Sequence, residues 1–171
     1  MNAGQKEALQ NLINEQVGQS DFLRLYGIGF DDVPLEVSKL LRQAIAQRDG
    51  DGVECALLLG FSFAFPIDIV GLVNQLVSEN WHTCHEDMLG ILQRHHDPSS
   101  VSSIKQAIQL KPSLAYLDYD DYGSYYKKCL WALSAIGTPE AISIIEECRI
   151  SDDKVLREQA EHRLSHITNR E

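Results

Sequence analysis

The chain has 171 residues, of which 44% are hydrophobic and 23% charged, a balance that fits one folded domain and excludes a disordered chain. Fifteen Lys and Arg face 25 Asp and Glu, for a net charge of -10, and the excess persists in both halves: 5 basic and 11 acidic in residues 1–85, 10 and 14 in residues 86–171. Such a field repels nucleic-acid phosphates, which argues against direct DNA or RNA binding, and it speeds encounter with a basic protein.

Sustained alternation is missing, whereas apolar residues recur at three- and four-residue intervals, so the chain reads as all-α. A first helix fits Gln5 to Val17, with Ala8, Leu9, Leu12, Ile13 and Val17 on one face and Gly18 at its end. Phe22 to Tyr26 suggests a short helix, and Pro34 opens another through Gln47 with Val37, Leu40, Leu41 and Ile45 as its stripe. Asp49-Gly50-Asp51-Gly52 reads as a turn, followed by a helix from Val53 to Phe63 that is apolar nearly all round. The stretch Ala56 to Phe65, closed by Pro66, is too short to span a bilayer, and no basic leader precedes it. The expectation is a cytoplasmic protein without membrane segments.

Pro66 starts the next helix, with Ile69, Val70, Val73, Leu76 and Val77 inward until Asn80, and a fifth main helix fits His82 to His95. Asp97-Pro98 restarts the chain with Val101, Ile104, Ala107 and Ile108 inward, and Lys111-Pro112 ends it. A loop covers Ser113 to Gly123. Helices then fit Tyr125 to Ile136 and Pro139 to Cys148, and Asp152 or Asp153 caps a last one bearing Val155, Leu156, Ala160, Leu164 and Ile167. Cys55, Cys84, Cys129 and Cys148 form no CxxC pair and fall among apolar residues, which fits reduced core fillers better than disulfides.

A repeat lies across these elements: Leu92 and Leu133, Pro98 and Pro139, Val101 and Ile142, and Ile104 and Ile145 are all separated by 41 positions. The run Leu130-Trp131-Ala132-Leu133-Ser134-Ala135-Ile136-Gly137-Thr138-Pro139-Glu140-Ala141-Ile142, and later Asp153, Val155, Arg157, Ala160 and Leu164, resembles HEAT repeats of the bacterial, lyase-associated type over roughly residues 82–167. The chain departs from that pattern at Ser134, at Leu156 between Val155 and Arg157, and at Arg163. The resemblance implies a short right-handed α-solenoid of stacked antiparallel hairpins, about eight or nine helices in one domain over residues 1–171, with degenerate repeats in 1–80 and clearer ones in 81–171. Within that family, Trp81, His82, His85, Glu86 and Asp87 with the Leu-Gln-x-x-x-Asp-Pro string at Leu92 to Pro98 resemble small proteins of toxin–immunity loci. That likeness implies an immunity protein capping a toxin domain.

Two clusters carry chemistry. His82, Cys84, His85, Glu86, Asp87, His95 and His96 are the densest set of metal-capable side chains. On one helix, however, His95 and His96 would lie roughly 15–20 Å from His82, and neither HExxH nor CxxC occurs. The structural reading, Glu86 and Asp87 at a helix start and His95 and His96 in its last turn, stands ahead of protein contact and of metal. The second cluster, Tyr116 to Tyr126, packs five tyrosines and three aspartates into eleven positions. Tyr116, Asp118, Tyr119, Asp120, Asp121, Tyr122 and Tyr125 are the candidate partner-binding residues, because tyrosine anchors interfaces and aspartates draw Lys or Arg. A connector packed on neighbouring helices is the equal alternative, and calcium lacks the loop spacing it requires. Trp81 and Trp131 fit core positions better than interface anchors. No nucleophile elbow or phosphate loop is present, so the sequence reads as non-enzymatic, with no cofactor and no metal. The function expected is binding of a basic protein, a toxin or effector domain, with a regulatory or assembly scaffold or a HEAT-like lyase as alternatives.

Overall fold

The computed structural model describes residues 1–117 and 123–168 and is all-α, with ten α-helices and no strand among the described residues. That is slightly more than the eight or nine helices expected. The chain divides into two compact units, Met1–Leu72 and Val73–Glu171, with the division inside the fifth helix. None of the helices is long and apolar enough to cross a membrane among the described residues.

In the first unit, α1 (Ala3–Ile13) starts with a capping box in which the Asn2 side chain accepts from Gln5 N–H and the Gln5 side chain from Asn2 N–H. It ends four residues earlier than its apolar pattern suggests, because Asn14 caps it and Glu15 turns left-handed at φ 57°. After α2 (Gln19–Tyr26) come α3 (Val33–Gln47) and α4 (Gly50–Ser62). The Asp49 to Gly52 stretch is a helix start and not a free turn: the Asp49 carboxylate accepts from Gly52 N–H, so Gly50 to Gly52 form the first turn of α4. α4 packs on α3 and α1, with Val53, Ala56 and Leu59 fully buried, although Phe61 remains 42% exposed on its outer side.

α5 (Ile69–Leu76) is shorter than the Pro66–Asn80 span expected. In the second unit the chain leaves the helix after Leu76, and α6 (His85–His95), α7 (Val101–Leu110), α8 (Ser124–Ile136), α9 (Pro139–Cys148) and α10 (Lys154–Thr168) follow. Here α8 packs against α6 on one side and α10 on the other, while α7 meets α9, so two layers of helices face each other. Leu92 and Leu133, and Ile104 and Ile145, are all fully buried, each pair at equivalent places in successive hairpins. Burying one such side chain contributes about 1.5–3 kcal/mol.

The 41-residue relation extends to the backbone. The caps Asp97 and Thr138 each accept from an N–H at the following helix start, Ser99 and Ala141 respectively. One residue before each cap, His96 and Gly137 both adopt the left-handed conformation, at φ 54° and 68°, and end α6 and α8. Glycine takes that conformation at no steric cost, and histidine does not. His96→Gly is therefore expected to raise stability by about 1 kcal/mol, measured as a higher urea midpoint at an unchanged slope. No gain, or a loss, would mean that the His96 side chain contributes more than its backbone costs.

Cys84, Cys129 and Cys148 are buried and Cys55 half-buried, all four as free thiols, so the core-filler reading fits three of them closely. Burial pushes the Cys129 thiol well up and the Cys148 thiol up to about 11, which leaves them poor nucleophiles near neutral pH.

Candidate functional site

The two clusters that stood apart in the sequence meet in the second unit. Tyr116 lies in a short turn, Ala115–Leu117, after α7, and its hydroxyl donates to His85 Nδ1 at 2.7 Å. His85, at the start of α6, is fully buried and stacks on His82 with ring centroids 4.2 Å apart. The hydrogen bonds fix both tautomers. His85 Nε2–H donates to the Glu79 carbonyl at 2.8 Å, which leaves Nδ1 to accept from Tyr116. His82 Nδ1 accepts from Cys84 N–H at 3.2 Å, and its Nε2–H donates to the Leu76 carbonyl at 2.9 Å. All four ring nitrogens are thus engaged by protein groups, and no cluster of three or more metal-capable side chains occurs among the described residues.

Burial holds both imidazoles neutral: it lowers His82, and together with the neighbouring His82 ring it lowers His85 to about 4. The same burial, reinforced by the Glu86 carboxylate, pushes the Tyr116 hydroxyl above its ordinary range. The pair therefore has neither an activated base nor an activated phenol. What the hydrogen bond does in the structure is fix the position of Tyr116. Tyr116 is pinned by its hydroxyl while the residue as a whole stays 38% exposed. With Trp81, Asn80 and Ser113 it lines an open hollow of about 310 Å³. Trp81 is half-buried and donates its indole N–H to Glu79 at 2.8 Å, so it lies at the edge of the core and faces this hollow.

The other candidate contact residues divide sharply. Asp118, Tyr119, Asp120, Asp121 and Tyr122 lie outside the described residues. Tyr125 does not belong to a binding surface: it is fully buried in α8, and its hydroxyl donates to the Ala107 carbonyl at 2.9 Å. Its spacing to Cys129, Ala132 and Leu133, all fully buried, places it on the inward stripe of α8. Tyr126 is also buried and donates to the Asp153 carboxylate at 2.8 Å, and Asp153 accepts from Val155 and Leu156 N–H, capping α10 as expected. Glu86 accepts from Ser124 and pairs with Lys128 at 2.8 Å, which ties the starts of α6 and α8 together. His95 and His96 are exposed at the far end of α6, away from the imidazole pair.

A second feature escaped the sequence reading. Trp131 is 38% exposed and not a core residue, since Leu130, Ala132 and Leu133 take the buried positions beside it. The Lys127 ammonium lies 5.2 Å from the Trp131 ring centroid and the Arg163 guanidinium 4.4 Å from it. Trp131 and Lys127 border an open groove of about 700 Å³ between α8 and α10, lined also by Gln93, Lys128, Glu158, Gln159 and His162, while Arg163 lines a neighbouring hollow on the other side of Trp131. The signal was present as basic residues one turn before Trp131 and on the facing helix, but the facing relation is a tertiary fact. No known family model, curated protein or solved structure matches the chain.

Proposed function

We propose that this protein is a non-catalytic binding module of HEAT-like construction that captures another protein, with neutralisation of a basic toxin or effector domain as the preferred biology. The observation that carries the reading is the display of Tyr116. A buried, neutral His85 fixes its hydroxyl at 2.7 Å and leaves its ring open beside Trp81, immediately before the acidic tyrosine-rich stretch 118–122. A preordered aromatic face costs little rotamer entropy on docking, and the adjoining aspartates suit Lys and Arg on a partner. The net charge of -10 adds attraction at longer range.

The test uses the product of the open reading frame adjacent to that of this chain. Expected is a stoichiometric complex whose association rate constant falls as salt is raised. Replacing Asp118, Asp120 and Asp121 together by Asn should slow association on the order of tenfold at low ionic strength and flatten the salt dependence, with a smaller effect on dissociation. A rate constant that ignores both ionic strength and the triple substitution would sink the electrostatic part of the reading. Tyr116→Ala should instead speed dissociation, and unchanged dissociation would remove Tyr116 from the interface.

A further inference from the structure

We infer that His162 and His166 form a surface site for a divalent transition-metal ion that favours imidazole nitrogen, Zn(II) or Cu(II). The two residues stand four apart on α10, so their side chains leave the same face one turn from each other. Both are exposed, and their ring centroids lie 4.4 Å apart. Two imidazoles on neighbouring positions of one ion, with metal–nitrogen bonds of about 2.0–2.1 Å, have centroids about 4.5–5 Å apart, so the pair stands close to chelating geometry.

The hydrogen bonds leave the lone pairs free for an ion. His166 Nδ1–H donates to the His162 carbonyl at 2.8 Å, which fixes the tautomer and leaves the Nε2 lone pair unused. A carbonyl behind the second ring nitrogen is the support that metal-bound histidines ordinarily have. The His162 ring makes no hydrogen bond among the described residues, so it too has a lone pair to give. His82 and His85 stack at a similar 4.2 Å, yet they are buried and spend all four ring nitrogens on protein groups. The histidines that stand out by density in the sequence are thus closed to metal, and the open pair lies on another helix.

Imidazole nitrogen suits Zn(II) and Cu(II), whereas Mg(II) and Ca(II) require oxygen donors. Arg163 lines the same hollow and repels a cation, so affinity rests on the two metal–nitrogen bonds and not on the field. No cluster of three metal-capable side chains occurs among the described residues, so water fills the remaining positions and the ion stays exchangeable. An ion held across one turn clamps α10. The inference therefore goes beyond protein capture, because it makes the stability of the second unit respond to metal.

The probe is ZnCl2 added to the untagged full chain, read on the imidazole C–H resonances of its six histidines. Those of His162 and His166 should shift saturably at one ion per chain while those of His82, His85, His95 and His96 stay in place, and the urea midpoint should rise with Zn(II). His162→Gln and His166→Gln, both at exposed positions, should each weaken binding at least tenfold and remove the rise in midpoint. Mg(II) should leave resonances and midpoint unchanged. Unmoved His162 and His166 resonances at millimolar Zn(II), a single Gln variant that binds as tightly as the parent chain, or an equal response to Mg(II) overturns the inference. None of these results bears on the Tyr116 site.

Discussion

Lowering the pH from 7 to 4 is expected to cost the second unit about 3 kcal/mol through His85 alone. The folded state holds His85 near 4, below its ordinary value of 6.5, so between those values the unfolded chain binds the proton that the folded chain refuses. The stabilising contribution is complete above about pH 6.5 and lost as pH falls through 4. His82 shifts in the same direction and deepens the loss. Around the pair stand the Tyr116 hydroxyl, the Cys84 thiol and the Glu86 and Glu79 carboxylates; Glu79 pulls His82 upward, but burial outweighs it, so both imidazoles shift downward. Urea unfolding between pH 7.5 and 4 would show the effect, with His85→Gln as the comparison. Glutamine retains a donor and an acceptor but no basic site, so its stability should change far less in that window. Parallel curves for the two proteins would mean that His85 is not the group responsible.

The second large effect is at Gly123, which ends the acidic stretch and starts α8. Gly123 has φ +68°, and a Cβ there would lie 2.5 Å from Val155 Cγ1 and 3.2 Å from Gln159 Cγ on α10. Gly123→Ala is therefore expected to cost roughly 2–5 kcal/mol, about 1–2 from the left-handed backbone and the remainder from overpacking against a β-branched side chain with little freedom to move. Gly137→Ala isolates the first part: its φ is also +68°, but the nearest atom is an ordinary 3.7 Å away, so about 1–2 kcal/mol is expected. Trimming the obstacle in Gly123→Ala/Val155→Ala should recover much of the difference, a coupling measurable by a double-mutant cycle on chemical denaturation. Equal losses for the two glycine variants would show that α10 yields at Val155.

Much of the second unit was legible in the sequence because its elements repeat with one offset, and each repeated position has a local mechanical job. Thr138 and Asp97 cap, Pro139 and Pro98 occupy a first turn, and Leu133 and Leu92 fill the core. Elsewhere two plausible signals competed. Gly18 looked like the end of α1, but Glu15 turns the chain first, and Asp49 looked like a turn residue while acting as a helix cap. Tyr125 was grouped with the loop by composition although helical spacing put it on the buried stripe of α8. The union of Tyr116 with His85 could not be read, because 31 residues and a whole hairpin separate them. The same holds for Arg163 against Trp131, which depends on how α10 lies on α8.

In the segment between α5 and α6 two imidazoles take a share of what a helix leaves to its own amides: the Glu79 carbonyl accepts from the His85 ring N–H, and the Leu76 carbonyl accepts from the His82 ring N–H as well as from Glu79 N–H. The length of the segment is consequently a fixed dimension of the molecule, because inserting or deleting one residue between Leu76 and His85 would pull both rings away from their carbonyls at once. The two ring contacts place no demand on the identity of exposed Thr83, whereas they do on the count of residues around it. Evolution of this connector should proceed by substitution and avoid indels.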